Sequence, residues 1–214
     1  VRAATPATLA FVSANIITEL AGPEAYGYAE AARQVAQPVT VFSVGLMAVL
    51  GPRAVRAGAV RDRRAARSNR AVYLALIGLG GLAYAAVAGW SWVLNPMEYL
   101  IPSAYIIGGL AAATIAANVL VAFFLILGRE LLGGGKARTL AFLSIVAAPA
   151  LPLAAVTAGT TGAFARPLGY IFEGMIRIAG GGYWLNRHYG DPGTAIQLAP
   201  DLTIDAEVVS GEIT

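Results

Sequence analysis

Long apolar stretches alternate with short polar links along the chain, and the stretches have the length of a bilayer crossing. A membrane-spanning helix needs roughly 20 mostly apolar residues. Residues 71–93, 99–127 and 139–165 satisfy this without one charged side chain. The third is expected to end its helix near Val156, because the turn-like run 157–162 is rich in Thr and Gly. Three further stretches are long enough but carry polar positions: 3–20, with Asn15 and Glu19; 28–51, with Glu30, Arg33, Gln34 and Gln37; and 164–185, with Arg166, Glu173 and Arg177. Helices of that kind turn one face inward, away from lipid.

The links fix an expected orientation. Seven arginines from Arg53 to Arg70 fill the link between the second and third spans, against the one acid Asp62. Arg129, Lys136 and Arg138 lie between spans four and five, Arg187 follows span six, and Arg2 precedes span one. The links 21–27, 94–98 and 157–163 hold no Lys or Arg. Basic loops stay in the cytoplasm, so the expectation is an all-α polytopic bundle of six spans (3–20, 28–51, 71–93, 99–127, 139–156 and 164–185) within residues 1–188, with both termini cytoplasmic. Residues 189–214 read as a flexible tail: from Asp191 on there are five acids and no base.

Composition agrees. The 214 residues are 57% hydrophobic and 13% charged, against about 25% charged in soluble domains; mean hydropathy is +0.67. There is no cysteine, and net charge is +3. All basic residues but Lys136 are Arg, which hints at a GC-rich bacterial genome. The chain opens on Val1 rather than Met, so a fragment, a split gene product or a half-sized protein that pairs is expected.

Several chemistries drop out. The arginine-rich link lacks the interleaved aromatics of a nucleic-acid patch and is pinned between two spans, so it reads as an orientation signal that also meets anionic lipid headgroups. Gly133-Gly134-Gly135-Lys136 fails as a phosphate loop, since Glu130 and Ala137 occupy positions that need Gly and Ser or Thr. His188 is the only histidine; no metal site, cofactor, catalytic residue or enzymatic activity is expected.

The intramembrane charges carry more. An ionisable group in a bilayer is expensive unless it faces a partner, water or the bundle interior. Arg166, Tyr170, Glu173 and Arg177 fall on one stripe of the sixth span, Glu30 and Arg33 share a face of the second, and Asn15 and Glu19 are four apart on the first. One reading is local neutralisation, Glu30 with Arg33 and Glu173 with Arg177. The other is a hydrophilic cavity in which Arg166 is left over to attract a phosphate or pyrophosphate and Glu19 is left over for a proton or sodium. Pro38, Pro102, Pro149 and Pro152 inside spans, with Gly78, Gly80, Gly81 and the small-residue run 108–113, suit kinked and closely packed helices.

The run Leu20-Ala21-Gly22-Pro23-Glu24-Ala25-Tyr26-Gly27-Tyr28-Ala29-Glu30-Ala31-Ala32-Arg33, continuing to Pro38 and Leu50-Gly51-Pro52-Arg53, resembles polysaccharide-biosynthesis flippases of the MOP superfamily, which export lipid-linked O-antigen and capsule units. In that family a Gly-x-Tyr start of the helix is common; here Gly27 and Tyr28 are adjacent. The resemblance covers roughly residues 1–188 and implies the second of two six-helix bundles in a bacterial cytoplasmic membrane, the partner bundle being a missing N-terminal half or another copy. It implies transport of a lipid-linked oligosaccharide by alternating access. On the charge argument, Arg33, Arg166, Arg177 and Tyr170 would hold the substrate, and Glu19, Glu30 and Glu173 would neutralise them or couple to an ion. The rivals are a MATE-like cation or drug antiporter half, whose cavity would be acidic, and a non-transporting scaffold of a polysaccharide-synthesis complex, whose charges would all be paired.

Overall fold

The computed structural model describes residues 4–89, 104 and 107–190. They form helices throughout: α1 Ala4–Ala59, α2 Arg63–Leu74, a π-helical turn Ala75–Leu79, α3 Gly80–Gly89, α4 Gly108–Gly133, α5 Ala137–Ala147, α6 Ala150–Ala155, α7 Ala158–Thr161, a 3-10 turn Gly162–Phe164, and α8 Ala165–Gly190. The link 94–98, Pro102 and the tail from Asp191 on lie outside the described residues. Tyr189 and Gly190, expected in the tail, complete α8.

Four helical stretches among the described residues are long and apolar enough to cross a membrane: Thr8–Ala59, Arg63–Ala88, Gly109–Gly133 and Ala137–Ala155. The first has 52 residues, about 78 Å at about 1.5 Å per residue, which exceeds the thickness of one bilayer. It is divided at Gly22, whose φ of 88° and ψ of 162° are non-helical and belong to a region open essentially to glycine alone. The seven-residue link expected at 21–27 is thus one residue. Pro23 explains the economy: it disfavours helical geometry in the residue before it, yet its missing N–H is harmless in the first turn of the helix it begins. Pro38 leaves α1 helical, whereas Pro149 and Pro152 accompany the break between α5 and α6.

At the centre, α4 packs against α1, α3 and α8. One core cluster joins Met47, Leu50, Tyr73, Ile126, Leu131 and Leu185; a second joins Val35, Ala36, Ala85, Ala111 and Ile115. Alanines dominate the second cluster, so its helices approach closely. The closest crossing lies at the other end of α1, where a Cβ on Gly58 would strike the carbonyl oxygen of Glu130, and one on Gly133 that of Val55. Of the glycines expected to admit close approach in the π-helical turn and α3, Gly81 does so against Val119, while Gly78 and Gly80 face open space. Phe11, Val41, Leu79, Phe142, Ile145 and Leu153 point outward, giving the bundle the apolar exterior that lipid favours over water.

Candidate functional site

Glu30 lies two helical turns past the Gly22 break, one turn before Arg33 on the same helix. Arg33 Nε donates to Glu30 Oε1 at 2.5 Å, and Arg166 Nη1, from the first turn of α8, donates to Glu30 Oε2 at 2.5 Å. The carboxylate therefore serves two guanidiniums. Arg166 is largely buried, with a side chain 16% exposed, while that of Arg33 is 42% exposed. The Arg166 guanidinium also lies 5.5 Å from the centre of the Tyr26 ring, a distance at which the ring face attracts a cation. Arg166 and Tyr170 line a small cavity of about 10 Å³ with Ser13, Ile17 and Tyr26, about the room one water needs. Arg166, expected as the leftover cation, has a partner after all, because α1 and α8 meet where Glu30 stands.

Glu173 and Arg177 pair within α8 at 2.6 Å, as their spacing suggested. The Arg177 guanidinium lies 5.6 Å from the Phe124 ring centre, so this pair faces α4 and does not join the Glu30 group; Arg166 and Arg177 are about 16 Å apart along the axis of α8. Glu19 is exposed on the α1 segment before Gly22 and forms no ion pair among the described residues.

A third ionic group escaped the sequence reading. Glu130, near the end of α4, has a fully buried side chain, with Arg70 Nε 3.2 Å from one carboxylate oxygen and the Tyr189 hydroxyl donating to the other at 3.4 Å. Beside it, His188 Nε2 lies 2.9 Å from the Gly58 carbonyl oxygen. Arg70 had been counted among the orientation signals and Glu130 dismissed with the failed phosphate loop. The available clue was a lone acid, Glu130, between an uncharged span and a basic link.

The Asp62 carboxylate starts α2 by accepting from the N–H groups of Arg64 and Ala65 at 3.0 and 2.9 Å. Within α2 the i, i+4, i+7 spacing of Arg63, Arg67 and Arg70 sets them on one stripe. No group of three or more His, Asp or Glu side chains suited to a metal ion occurs among the described residues.

The spacing of these groups along the axis is informative. Arg33 and Arg53 are 20 residues apart on α1, about 30 Å in a helix, and Arg166 and Arg187 are separated similarly on α8. The Glu30 group thus stands about one bilayer thickness from the arginine-rich end. Protein-family models, curated proteins and solved structures give no match to this chain.

Proposed function

We propose that the chain is one bundle of a membrane transporter of the flippase kind, moving a lipid-linked oligosaccharide or related polysaccharide precursor across a bacterial cytoplasmic membrane by alternating access. Six crossings follow if the two parts of α1 on either side of Gly22, the rod from α2 to α3, α4, the α5–α6 pair and α8 each traverse once; the basic links then share the cytoplasmic side with both termini. The observation that carries the proposal is the two-to-one ratio at Glu30: one carboxylate between Arg33 and Arg166 leaves a net positive charge. A phosphate or pyrophosphate fits such a site, since guanidiniums bind phosphate oxygens in pairs. A second bundle, from another chain or another copy, would close the route, as in other two-repeat carriers.

A scaffold of a synthesis complex is the second reading. It is favoured by the partners found for Glu30, Glu130 and Glu173 and by the small cavity beside Arg166. One experiment separates the two. The chain has no cysteine, so Arg33→Cys and Arg166→Cys, with Ala86→Cys and Val119→Cys as controls, can be probed in intact membranes with a water-soluble thiol reagent. Labelling at the two arginine positions with silent controls is the result expected for a transporter. Silence at all four, with the protein inserted, gives the scaffold.

A further inference from the structure

The stripe of Arg63 and Arg67, both exposed, and the half-buried Arg70 borders a recess in the surface. It forms one wall of a cavity of about 150 Å³ between α2 and α8, whose other wall is Gly182, Leu185, Asn186 and Tyr189. On the same measure a single water needs about 10–15 Å³, so the space holds a group several times larger. Three guanidiniums at these spacings repel one another unless an anion stands between them. Arg70 is answered from behind the wall by the buried Glu130, which also holds the Tyr189 hydroxyl. Arg63 and Arg67 have no carboxylate within ion-pair distance among the described residues. Glu130 thus positions two lining side chains while leaving the positive charge of the other two unmet. Gly182 opens the floor: a Cβ there would meet nothing within 4 Å.

We propose that this cavity is a binding site for one phosphate group, carried by an anionic lipid headgroup or by a soluble phosphate. Arg63 and Arg67 bind its oxygens, Asn186 and Tyr189 line it, and Arg70 adds charge from the anchored side. The site stands at the arginine-rich end of the bundle, far from Glu30, and does not depend on whether the bundle transports. Diffuse attraction between a basic link and an anionic membrane depends on the number of arginines; a built site depends on which ones are present.

The test uses the full chain purified in a neutral detergent, with lipid adducts counted by native mass spectrometry and soluble anion binding followed by titration calorimetry. The probes are phosphatidylglycerol, phosphatidylcholine and inorganic pyrophosphate. The variants are R63Q/R67Q, the cavity-filling G182M, and R53Q/R56Q, which removes the same charge from exposed positions outside the cavity. The expected result is preferential retention of phosphatidylglycerol, weakened on the order of tenfold or more in R63Q/R67Q and G182M and unchanged in R53Q/R56Q. The same dependence for pyrophosphate assigns the site to soluble phosphates as well, and pyrophosphate alone assigns it to them only. Binding of neither probe, equal loss in both double variants, or full retention in G182M overturns the proposal. Should R63Q/R67Q fail to fold, G182M, which keeps every charge, decides.

Discussion

Arg166 Nη1 donates to Glu30 Oε2 at 2.5 Å, tying the start of the last helix to the first across 136 positions of sequence. The bond is made by the more buried of the two arginines that Glu30 serves, and burial decides what each pairing is worth. Exposed pairs contribute little, whereas a part-buried guanidinium left without its carboxylate keeps its desolvation cost.

A double-mutant cycle on Glu30 and Arg166 is therefore expected to give a coupling of about 1–3 kcal/mol, and one on Glu30 and Arg33 about 0.3–1 kcal/mol. Unfolding by a denaturing detergent, followed by loss of helical circular dichroism, measures both. A larger coupling for Arg33 would reverse the ranking by burial.

Gly133→Ala is expected to cost more than about 3 kcal/mol or to abolish folding, since the added methyl runs into the backbone of α1 at Val55. Gly45→Ala, on the same helix as Val55 but facing open space, should be neutral or stabilise by about 0.5–1 kcal/mol. The fraction surviving as a monodisperse peak after heating reports both changes.

Asp62→Ala removes the cap of α2 and should destabilise that helix by about 1 kcal/mol, while Asp62→Asn retains most of it. Limited trypsin digestion supplies the readout. Cleavage after Arg63 and Arg64 should quicken in the alanine variant and stay near the parental rate in the asparagine one.

Tyr73 is completely buried and its hydroxyl donates to the Ala122 carbonyl oxygen at 3.0 Å. Tyr73→Phe should cost about 0.5–1.5 kcal/mol, and Tyr73→Ala about 3–5 kcal/mol through the cavity it leaves. Similar losses in the two variants would show that the hydroxyl, rather than the ring, holds α2 to α4.

What the sequence disclosed follows the range of the forces involved. The charge-free stretches were legible because a lipid-facing helix needs only length and apolarity; α4 nevertheless runs on to Gly133, six residues past the expected end at 127, carrying Arg129 and Glu130 inside the helix. Glu173 with Arg177 was legible because both sit on one helix, and 3.6 residues per turn brings them together. Glu30 with Arg166 was not, because periodicity gives the face a residue occupies and not the helix that will cover it. The same limit hid Glu130, whose partners Arg70 and Tyr189 come from two other helices. The link at 21–27 was legible as a break, but its reduction to Gly22 alone came from the fit of Pro23 to a first helical turn.

The close crossing at Gly58 and Gly133 gives the bundle two fastenings of different kinds. There α1 and α4 are held by backbone lying on backbone, a contact that neither salt nor a dissolved anion can compete for. About 40 Å away along α1, the same helix is held to α8 by charge, through the pairing of Arg166 with Glu30, a contact that dissolved ions weaken. The molecule is bound like a book along one edge and clasped at the other, and salt loosens the clasp while leaving the binding as it was.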